Sequence, residues 1–359
     1  MPGSTLDQGY IPFGTTTTDP YHNALIRLWD PNVRPAVANQ WNFTVQKQFG
    51  PTTTLQVGYV GQRTTHLMVP MPYFQKQLIS PGVTAPSPYL SGNPSLVASL
   101  GKTGQISGTA SNGDQTYHAL QAVMQKRLSG GLQYSIAYTW SKCMSDAIGY
   151  YGAGGQSGSQ SAYWQNLYDK KAEWGPCFYD VTHVVTANVI YELPFGHGRH
   201  FGKNMNSVVN AVVGEWQLSG IYSVHGGFPL TIRANDTTGT GSRGGRANCL
   251  VPGTVFGKQD SPVGGYQWFD PTAYATPTGT FGSCGNGTIR GPGLNTLDLS
   301  LVKRFSITEH QSLELRGEAI NFTNTPILNA PTHSVGATNG LINGSQGARN
   351  VQLGLKYDF

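Results

Sequence analysis

The stretch VQLGLKYDF, residues 351–359, closes the chain and shows the pattern that decides its fold. Every second residue is apolar or aromatic: Val351, Leu353, Leu355, Tyr357 and Phe359. Side chains along a β-strand point alternately to its two faces, so the stretch predicts a strand with one apolar and one polar face. The last residues of soluble domains usually fray. A strand that continues to Phe359 is therefore a feature that the function has to explain.

The same alternation recurs in eight earlier stretches. They lie at 41–49, 54–62, 118–128, 132–140, 184–193, 216–224, 297–305 and 313–322. With the final stretch they predict an antiparallel all-β fold of about nine to ten strands, several near the length that crosses a bilayer at a tilt. No stretch approaches the 18 or more apolar residues of a transmembrane helix.

The composition favours strands and turns over helices. Gly occurs 47 times and Pro 22 times among 359 residues, and both disfavour helices. Charged residues make up only 11% of the chain, less than half of the usual share, while 11% are aromatic. The net charge of +5 is spread without a run of Lys or Arg, so the sequence predicts no nucleic-acid partner.

The connections between the predicted strands alternate between short and long. The links at 50–52, 129–131 and 306–310 are tight, and the link at 194–212 is intermediate. The other links are rich in Gly, Ser, Thr, Asn and Pro and cover 64–113, 144–176, 236–293 and 325–347. Outer-membrane barrels have short periplasmic turns and long extracellular loops. The asymmetry therefore predicts part of a transmembrane β-barrel in a bacterial outer membrane.

Several motifs carry a family resemblance that extends from about residue 37 to residue 359. They are VANQWNFTVQKQFG, TTLQVGYVGQRTTHL, YHALQAVMQKRLSGGLQYSIAYTWSK, FYDVTHVVTANVIYELPFGHGRHFG, GEWQLSGIYSVHGGFPLTI and NFTNTPILNAP. In this order they resemble the C-terminal part of the barrel of TonB-dependent receptor-like outer-membrane proteins. The similarity is greatest to the Oar-like group, whose full-length members carry an N-terminal carboxypeptidase-regulatory-like domain. We therefore expect 37–359 to be barrel and 1–36 to be the remainder of an extracellular loop.

The resemblance implies a function in binding and uptake of a substrate at the cell surface. It implies outer-membrane lipid and the barrel-assembly machinery as partners, with Tyr357 and Phe359 as the assembly signal. Full-length relatives place a signal peptide, a TonB-contacting segment and a plug ahead of roughly 22 strands. The sequence shows none of these parts, and its start, MPGSTLDQGY, lacks a secretory signal. We therefore expect a fragment that reaches the TonB complex only through parts it lacks, and an unknown small or oligomeric substrate.

Two alternatives remain open at the level of sequence. A passive porin-like barrel shares the strands but closes on itself with an even strand count and has no plug. A secreted soluble β-sandwich or adhesin shares the alternation but packs its aromatic stripes in a core.

The four cysteines suggest two disulfides by their positions. Cys143 and Cys177 flank one long link, and Cys249 and Cys284 lie within another. Both links are predicted to be extracellular, where disulfides persist. Four free thiols are the alternative, and the absence of a C-x-x-C motif argues against a zinc or redox site.

Five charged residues share the polar phase of two adjacent predicted strands: Asp298, Arg304, Glu314, Arg316 and Glu318. In a barrel they face the lumen, where cross-strand ion pairs can form. Such a wall either contacts a plug or a solute, or is simply solvated. The sequence shows no paired carboxylates, Ser–His pair or converging metal ligands, so it predicts neither an enzyme nor a cofactor.

Overall fold

The computed structural model describes residues 26–92, 106–147, 163–251, 255–308 and 310–359. One antiparallel sheet contains nine long strands, each paired with the next along the chain. These are β1 (Val37–Phe49), β2 (Thr53–Met71), β3 (Ile106–Ser129), β4 (Leu132–Ser145), β5 (His183–Glu192), β6 (Trp216–His225), β7 (Leu294–Ser306), β8 (Ser312–Ile320) and β9 (Asn350–Asp358). The predicted fold class and strand number are confirmed.

The other described elements are short. The strands are Ile26–Trp29, Gln77–Ser80, Val83–Ala85, Gly175–Pro176, Pro229–Leu230, Asn248–Cys249, Val255–Asp260, Tyr266–Phe269, Tyr274–Ala275, Ile289–Arg290, Ile327–Leu328, Leu341–Ile342 and Ser345–Gln346. The α-helices are Pro88–Ser91 and Ser207–Val213, and the 3₁₀ helices are Lys170–Glu173 and Pro271–Ala273. None of the helices within the described ranges has the length and apolarity to cross a membrane.

The strand register places the alternating large apolar residues on one face of the sheet, while a few apolar residues, such as Ile221 and Val302, lie on the other face. Directly paired residues of neighbouring strands point to the same face. One such row runs through Leu55, Met124, Ile136, Ala187, Tyr222 and Leu297. Large side chains of this face are exposed on the protein surface: Phe43 is 70% exposed and Leu353 is 83% exposed. The soluble sandwich, whose aromatic stripes pack in a core, is therefore the wrong alternative.

Tight turns close one end of the sheet, which we call the turn end. Gly50 follows β1 with a φ of +62°, and Gly130 and Gly131 join β3 to β4 with φ values of +61° and +77°. Glycine adopts this left-handed conformation without the strain that a Cβ atom adds. The connection from β5 to β6 also lies at the turn end and contains the helix Ser207–Val213.

The opposite end, which we call the loop end, carries four long connections. They are 72–105, 146–182, 226–293 and 321–349, numbered here as connections one to four. The predicted link 64–113 was wrong at both ends, because β2 continues to Met71 and β3 begins at Ile106. These strand extensions lack apolar alternation but still pair, from Thr64 with Gln115 to Met71 with Gly108, through two irregularities.

Residues 26–29 pair in parallel with the loop-end part of β3, from Ile106 to Thr109. Residues 1–25 lie outside the described part of the chain, so the expected division at residue 36 stays a prediction.

The two outermost strands each have a single neighbour. Within the described residues β1 pairs only with β2, and β9 only with β8, so the sheet is open at both edges. The prediction that the last strand includes Phe359 was wrong by one residue, because β9 ends at Asp358. The Phe359 ring is 93% exposed and stacks on Tyr357 with centroids 6.0 Å apart.

The buried apolar residues lie mostly at the loop end rather than between the strands. One cluster belongs mainly to connection three and consists of Leu230, Ile232, Ala247, Phe269, Ala273, Tyr274, Cys284 and Ile289. A second cluster joins the strand extensions to connection two and consists of Val69, Met71, Ala110, Trp164 and Leu167. The long connections therefore form a packed layer on top of the sheet, which we call the loop layer.

Candidate functional site

Gln165, in connection two, links three long connections through its side chain and backbone. Its Oε1 accepts hydrogen bonds from the backbone N–H of Arg246 (2.8 Å) and of Gly282 (3.1 Å), both in connection three. Its carbonyl oxygen accepts from Gln75 Nε2 of connection one (2.7 Å), and Gln75 Oε1 in turn accepts from Leu167 N (2.9 Å). Gln165 and Gln75 are both buried. The network therefore fixes the connections relative to one another.

A buried ion pair lies next to Gln165. Glu173 is fully buried, and its Oε2 accepts from Arg246 Nη1 at 2.6 Å. Its Oε1 accepts from Gln165 N (2.9 Å), and Asn286 Nδ2 donates to Oε2 (3.2 Å). Charges withdrawn from water are tolerated only when they are paired and hydrogen-bonded. Glu173 meets that condition with partners from connections two and three.

A second arginine, Arg233, is half-buried and brings connection four into the layer. Arg233 N donates to His333 O at 2.8 Å. Burial, together with the positive charge of Arg246, lowers the pKa of Arg233 to about 10, although Glu173 offsets part of this. Burial also lowers the pKa of His333, whose Nδ1 lies 3.1 Å from Pro331 O. The layer therefore brings the positive charges of Arg233 and Arg246 close together, which disfavours a further positive charge there.

A further charged cluster, formed by Lys170, Asp114 and Asp146, lies where β3 and β4 enter the layer. Lys170 Nζ is 2.5 Å from Asp114 Oδ2 and 3.4 Å from Asp146 Oδ2. Burial raises the pKa of Asp146, which is only partly offset by the N–H of Asp114 and the charge of Lys170. Burial alone would lower the pKa of Lys170, but the hydrogen bond to Asp114 and the two carboxylate charges raise it overall. Lys170 therefore stays charged at neutral pH.

Two cavities flank this group and share Asp114 and Lys170. The first has a volume of about 500 Å³ and is lined by Thr65, His66, Met71, Tyr89, Ser111, Asn112, Gly113, Asp114, Trp164, Leu167, Tyr168 and Lys170. The second has about 730 Å³ and is lined by Arg63, Asp114, Gln115, Thr116, Asp146, Lys170, Lys171 and Trp174. The first combines three aromatic rings with an ammonium and a carboxylate, so it suits a solute with both an apolar face and polar groups.

Both predicted disulfides are present in the predicted pairing. Cys143 of β4 is bonded to Cys177, with Cα atoms 5.4 Å apart. Cys249 is bonded to Cys284 within connection three, with Cα atoms 5.1 Å apart. The first bond holds connection two against the sheet of β1 to β9, which we call the wall. The second closes the apolar cluster of connection three, which includes Cys284.

The structure brings four of the five predicted polar wall residues together. Glu314 Oε1 lies 2.7 Å from Arg316 Nη2, and Glu314 Oε2 lies 3.7 Å from Arg304 Nη2. Arg316 Nη1 lies 3.5 Å from Glu318 Oε1. Asp298 stands apart from this ladder, and its Oδ1 accepts from the backbone N–H of Asn321 at 2.7 Å. All five are on the polar face, opposite the row that contains Leu297.

Sequence reasoning missed the residues that build the loop layer. Gln165, Glu173 and Arg246 lie in the long connections, and their partners are up to 117 positions away. The one signal in the sequence was the bulky apolar residues within the loops, such as Trp164 and Phe269, because exposed loops seldom need them. Those residues are buried in the two clusters.

Comparison with known proteins gives a family. No curated protein matches the sequence. Among solved structures, the outer membrane transporter YddB from Escherichia coli aligns over 94% of this chain and 34% of its own, with 9% identity and a TM-score of 0.49. The FrpB iron transporter from Neisseria meningitidis aligns over 93% and 33%, with 12% identity and a TM-score of 0.42. The ferripyoverdine receptor of the outer membrane of Pseudomonas aeruginosa aligns over 91% and 28%, with 8% identity and a TM-score of 0.45.

The chain thus spans about a third of the length of the solved structures that it matches. A family model described as an outer membrane beta barrel domain matches residues 2–352, nearly the whole sequence. The apolar face of the sheet is therefore the face toward lipid, and the polar face is the lumen side. The chain belongs to the outer membrane β-barrel domain family and resides in the bacterial outer membrane.

Proposed function

We propose that the chain is part of the barrel of a TonB-dependent receptor that binds a substrate at the cell surface and takes it up. The observation that carries the proposal is the 500 Å³ cavity at the loop end of an outer-membrane barrel, with Tyr89, Trp164 and Tyr168 beside Lys170 and Asp114. The motif resemblance to TonB-dependent receptor-like proteins supports the energy-coupled form of this function. Transport, rather than catalysis, is the role of the chain.

The two open edges of the sheet support a larger barrel. Backbone groups that stay unpaired in lipid cost several kcal/mol each. We infer that further strands pair with β1 and β9 and complete the wall, with residues 37–359 as the C-terminal part and residues 1–36 as extracellular loop. The TonB complex and a plug then act through sequence other than the described strands.

The remaining predicted residues take supporting roles in the proposal. The ladder of Arg304, Glu314, Arg316 and Glu318, with Asp298 beside it, gives the lumen a polar wall along which a solute passes. Tyr357 and Phe359 form an aromatic chain end at the turn side, which suits the signal read by the barrel-assembly machinery. The exposed Phe359 ring is accessible for such a contact.

The test is a binding measurement with three solute classes and a matched pair of variants. The purified outer-membrane protein is titrated with a ferric siderophore, a linear oligosaccharide and a peptide by calorimetry. We expect one class to bind. Tyr168→Phe keeps the aromatic ring in the cavity, so the affinity for that class should stay within a few fold of that of the unmodified protein. Tyr89→Ala removes a half-exposed ring from the cavity and should weaken binding at least tenfold.

Lys171→Ala is the control, because Lys171 lines only the second cavity. An affinity that Tyr89→Ala leaves unchanged would show that the substrate binds elsewhere. Failure to bind any of the three solute classes would contradict the receptor role. Steady ion conductance across a planar bilayer without substrate would instead establish the porin-like alternative.

A further inference from the structure

The helix Ser207–Val213, at the turn end, presents an apolar stripe to its surroundings. Val208 and Val212 are 76% and 66% exposed, and Val209 and Val213 are 42% exposed each. Residues spaced by one, four and five positions share one side of a helix, so these valines form a continuous face. Four open valines on two turns of helix are a poor surface for water and indicate a cover.

The opposite side of the helix is occupied by the turn itself. Asn210 Oδ1 accepts from the backbone N–H of His197 at 2.8 Å. Asn206 Oδ1 caps the helix start by accepting from Val209 N at 2.8 Å. The polar side of the helix is therefore fixed against residues 195–201, and the valines point away from the turn.

The end of the helix is attached to the lipid face of the wall. Trp216 Nε1 donates to Val212 O at 2.9 Å. Lys303 Nζ donates to Gly214 O and lies 5.4 Å and 5.0 Å from the ring centroids of Trp216 and Phe305. Trp216 and Lys303 are direct cross-strand partners on the apolar phase of β6 and β7. The valine face is therefore continuous with the surface that already lies in lipid.

Two further lysines on the apolar phase mark the height of the bilayer surface. Lys47 stands opposite Leu55, near the end of β1, with its Nζ 5.6 Å from the Phe49 ring centroid. Lys126 Nζ reaches the carbonyl oxygens of Ser129 (2.7 Å) and Leu132 (3.3 Å) in the next turn. Lysines on a lipid face extend their ammonium groups toward the polar interface. The ammonium groups of Lys47 and Lys126 place the headgroup level at the turns, where the helix lies, whereas Lys303 is buried and binds the carbonyl of Gly214.

We propose that the helix Ser207–Val213 lies in the inner leaflet of the outer membrane, with its valine face among the acyl chains just below the phospholipid phosphates. The occupant of this face is phospholipid. The helix acts as an interfacial anchor that fixes the depth of the wall at its periplasmic side. This inference rests on the outer-membrane location and not on the proposed transport function.

The test uses single cysteines labelled with the fluorophore NBD in the protein reconstituted into phosphatidylethanolamine–phosphatidylglycerol vesicles. Val208→Cys and Val212→Cys report on the valine face, and Ser207→Cys reports on the opposite side of the same helix. Leu353→Cys and its neighbour Gln352→Cys, on the two faces of β9, show whether the wall has inserted. Only preparations in which the Leu353 label is in lipid and the Gln352 label in water are scored.

We expect the labels at Val208 and Val212 to emit at shorter wavelength and to lose most of their intensity when lipids carry a doxyl group at carbon 5. The Ser207 label should keep the emission it has in water. Val208 and Val212 labels that match the Ser207 label would overturn the proposal. So would shielded labels that doxyl lipids do not quench, with copies that cross-link through Val212→Cys, because the cover would then be a second copy.

Discussion

The wall and the loop layer are built by opposite physical means, although the same strands run through both. In the wall, the alternation of residues along each strand decides which face a side chain lies on, and the directly paired residue of the next strand is its neighbour. The row from Leu55 to Leu297 is an example. In the loop layer, Gln165 and Glu173 are placed by partners more than 70 positions away. The wall has its apolar side chains exposed, whereas the layer buries charged ones.

The difference shows where each region obtains its stability. The wall relies on lipid to cover the apolar face and on backbone pairing between neighbouring strands. The layer faces water and has to make its own core, which it does with two apolar clusters, two disulfides and a buried ion pair. We therefore expect substitutions in one region to leave the other region folded.

The largest effect is expected from Glu173→Gln. The substitution leaves the buried guanidinium of Arg246 without its carboxylate, which typically costs about 3–5 kcal/mol. Backbone hydrogen exchange in residues 163–176 and 229–251 should accelerate by roughly 100-fold or more, since about 1.4 kcal/mol corresponds to tenfold. Exchange in β5 to β8 should stay unchanged.

Glu192→Gln is the matched control at the turn end. Its partner Arg199 lies at 2.7 Å, but both side chains are about a third exposed. Such pairs contribute about 0–1 kcal/mol. Loss of protection in β5 to β8 with Glu173→Gln would contradict the independence of wall and layer, and unchanged exchange in the layer would contradict the role of the pair.

The second effect concerns the disulfide between Cys249 and Cys284. It closes a segment with a sequence separation of 35, for which the chain-entropy model gives roughly 4 kcal/mol. The double variant Cys249→Ala/Cys284→Ala should lower the thermal transition of the loop layer, measured by trypsin cleavage of connection three against temperature. The wall should keep its gel mobility shift on boiling.

A reducing agent provides the control for this prediction. It should produce the same loss in the unmodified protein and almost none in the double variant, apart from the effect of breaking Cys143–Cys177. A double variant that resists trypsin like the unmodified protein would show that apolar packing around Leu230 and Phe269 alone holds connection three.

The same contrast explains how much of the molecule the sequence predicts. The strands of the wall can be predicted because apolar and polar residues alternate along them. In β7, Leu299, Leu301 and Phe305 alternate with Asp298, Ser300 and Arg304, a local pattern that a single sequence is enough to show. The disulfide pairing was also predictable, since each pair flanks or lies in one long link. The position of Glu173 beside Arg246 was not, because no local pattern encodes a contact between residues 73 positions apart.

Strand boundaries at the loop end show a further limit. The extensions of β2 to Met71 and of β3 from Ile106 are stabilised by pairing with each other and by packing against Trp164. The β3 extension is rich in Ser, Gly and Thr, and neither extension alternates apolar and polar residues, because both of its faces are packed. The sequence therefore predicts a loop there. Tertiary contacts, and not local preference, extend these strands.

The third effect compares the two faces of one strand. Leu299 is on the lipid face, four residues from Lys303, and Ser300 is on the lumen face opposite Glu318. Leu299→Arg should destabilise the wall by about 2–4 kcal/mol, the usual cost of arginine near the bilayer midplane of a barrel. Unfolding in guanidinium chloride from vesicles measures the change.

Ser300→Arg is the control, because its guanidinium meets water and the carboxylate of Glu318. It should change stability by less than about 1 kcal/mol. Equal losses from both substitutions would mean that the lumen face is as dry as the lipid face, and the assignment of the polar ladder to a solute path would fail.

The smallest effect is a pH dependence confined to the loop layer and caused by His333. Burial lowers the pKa of His333 in the folded state, and the charge of Arg233 adds to this. As the pH falls through about 6.5, the unfolded chain therefore takes up a proton that the folded layer does not, and stability is lost toward acid. The free energy of local opening, measured by hydrogen exchange in residues 226–235, should fall as the pH is lowered from about 7.5 to about 5. His333→Asn, which keeps an N–H donor for Pro331 O, should remove the part of the pH dependence that His333 causes.

If the pH dependence of local opening is the same in the variant, the acid sensitivity belongs to other groups. If the wall shows the same pH dependence, the layer and the wall unfold together.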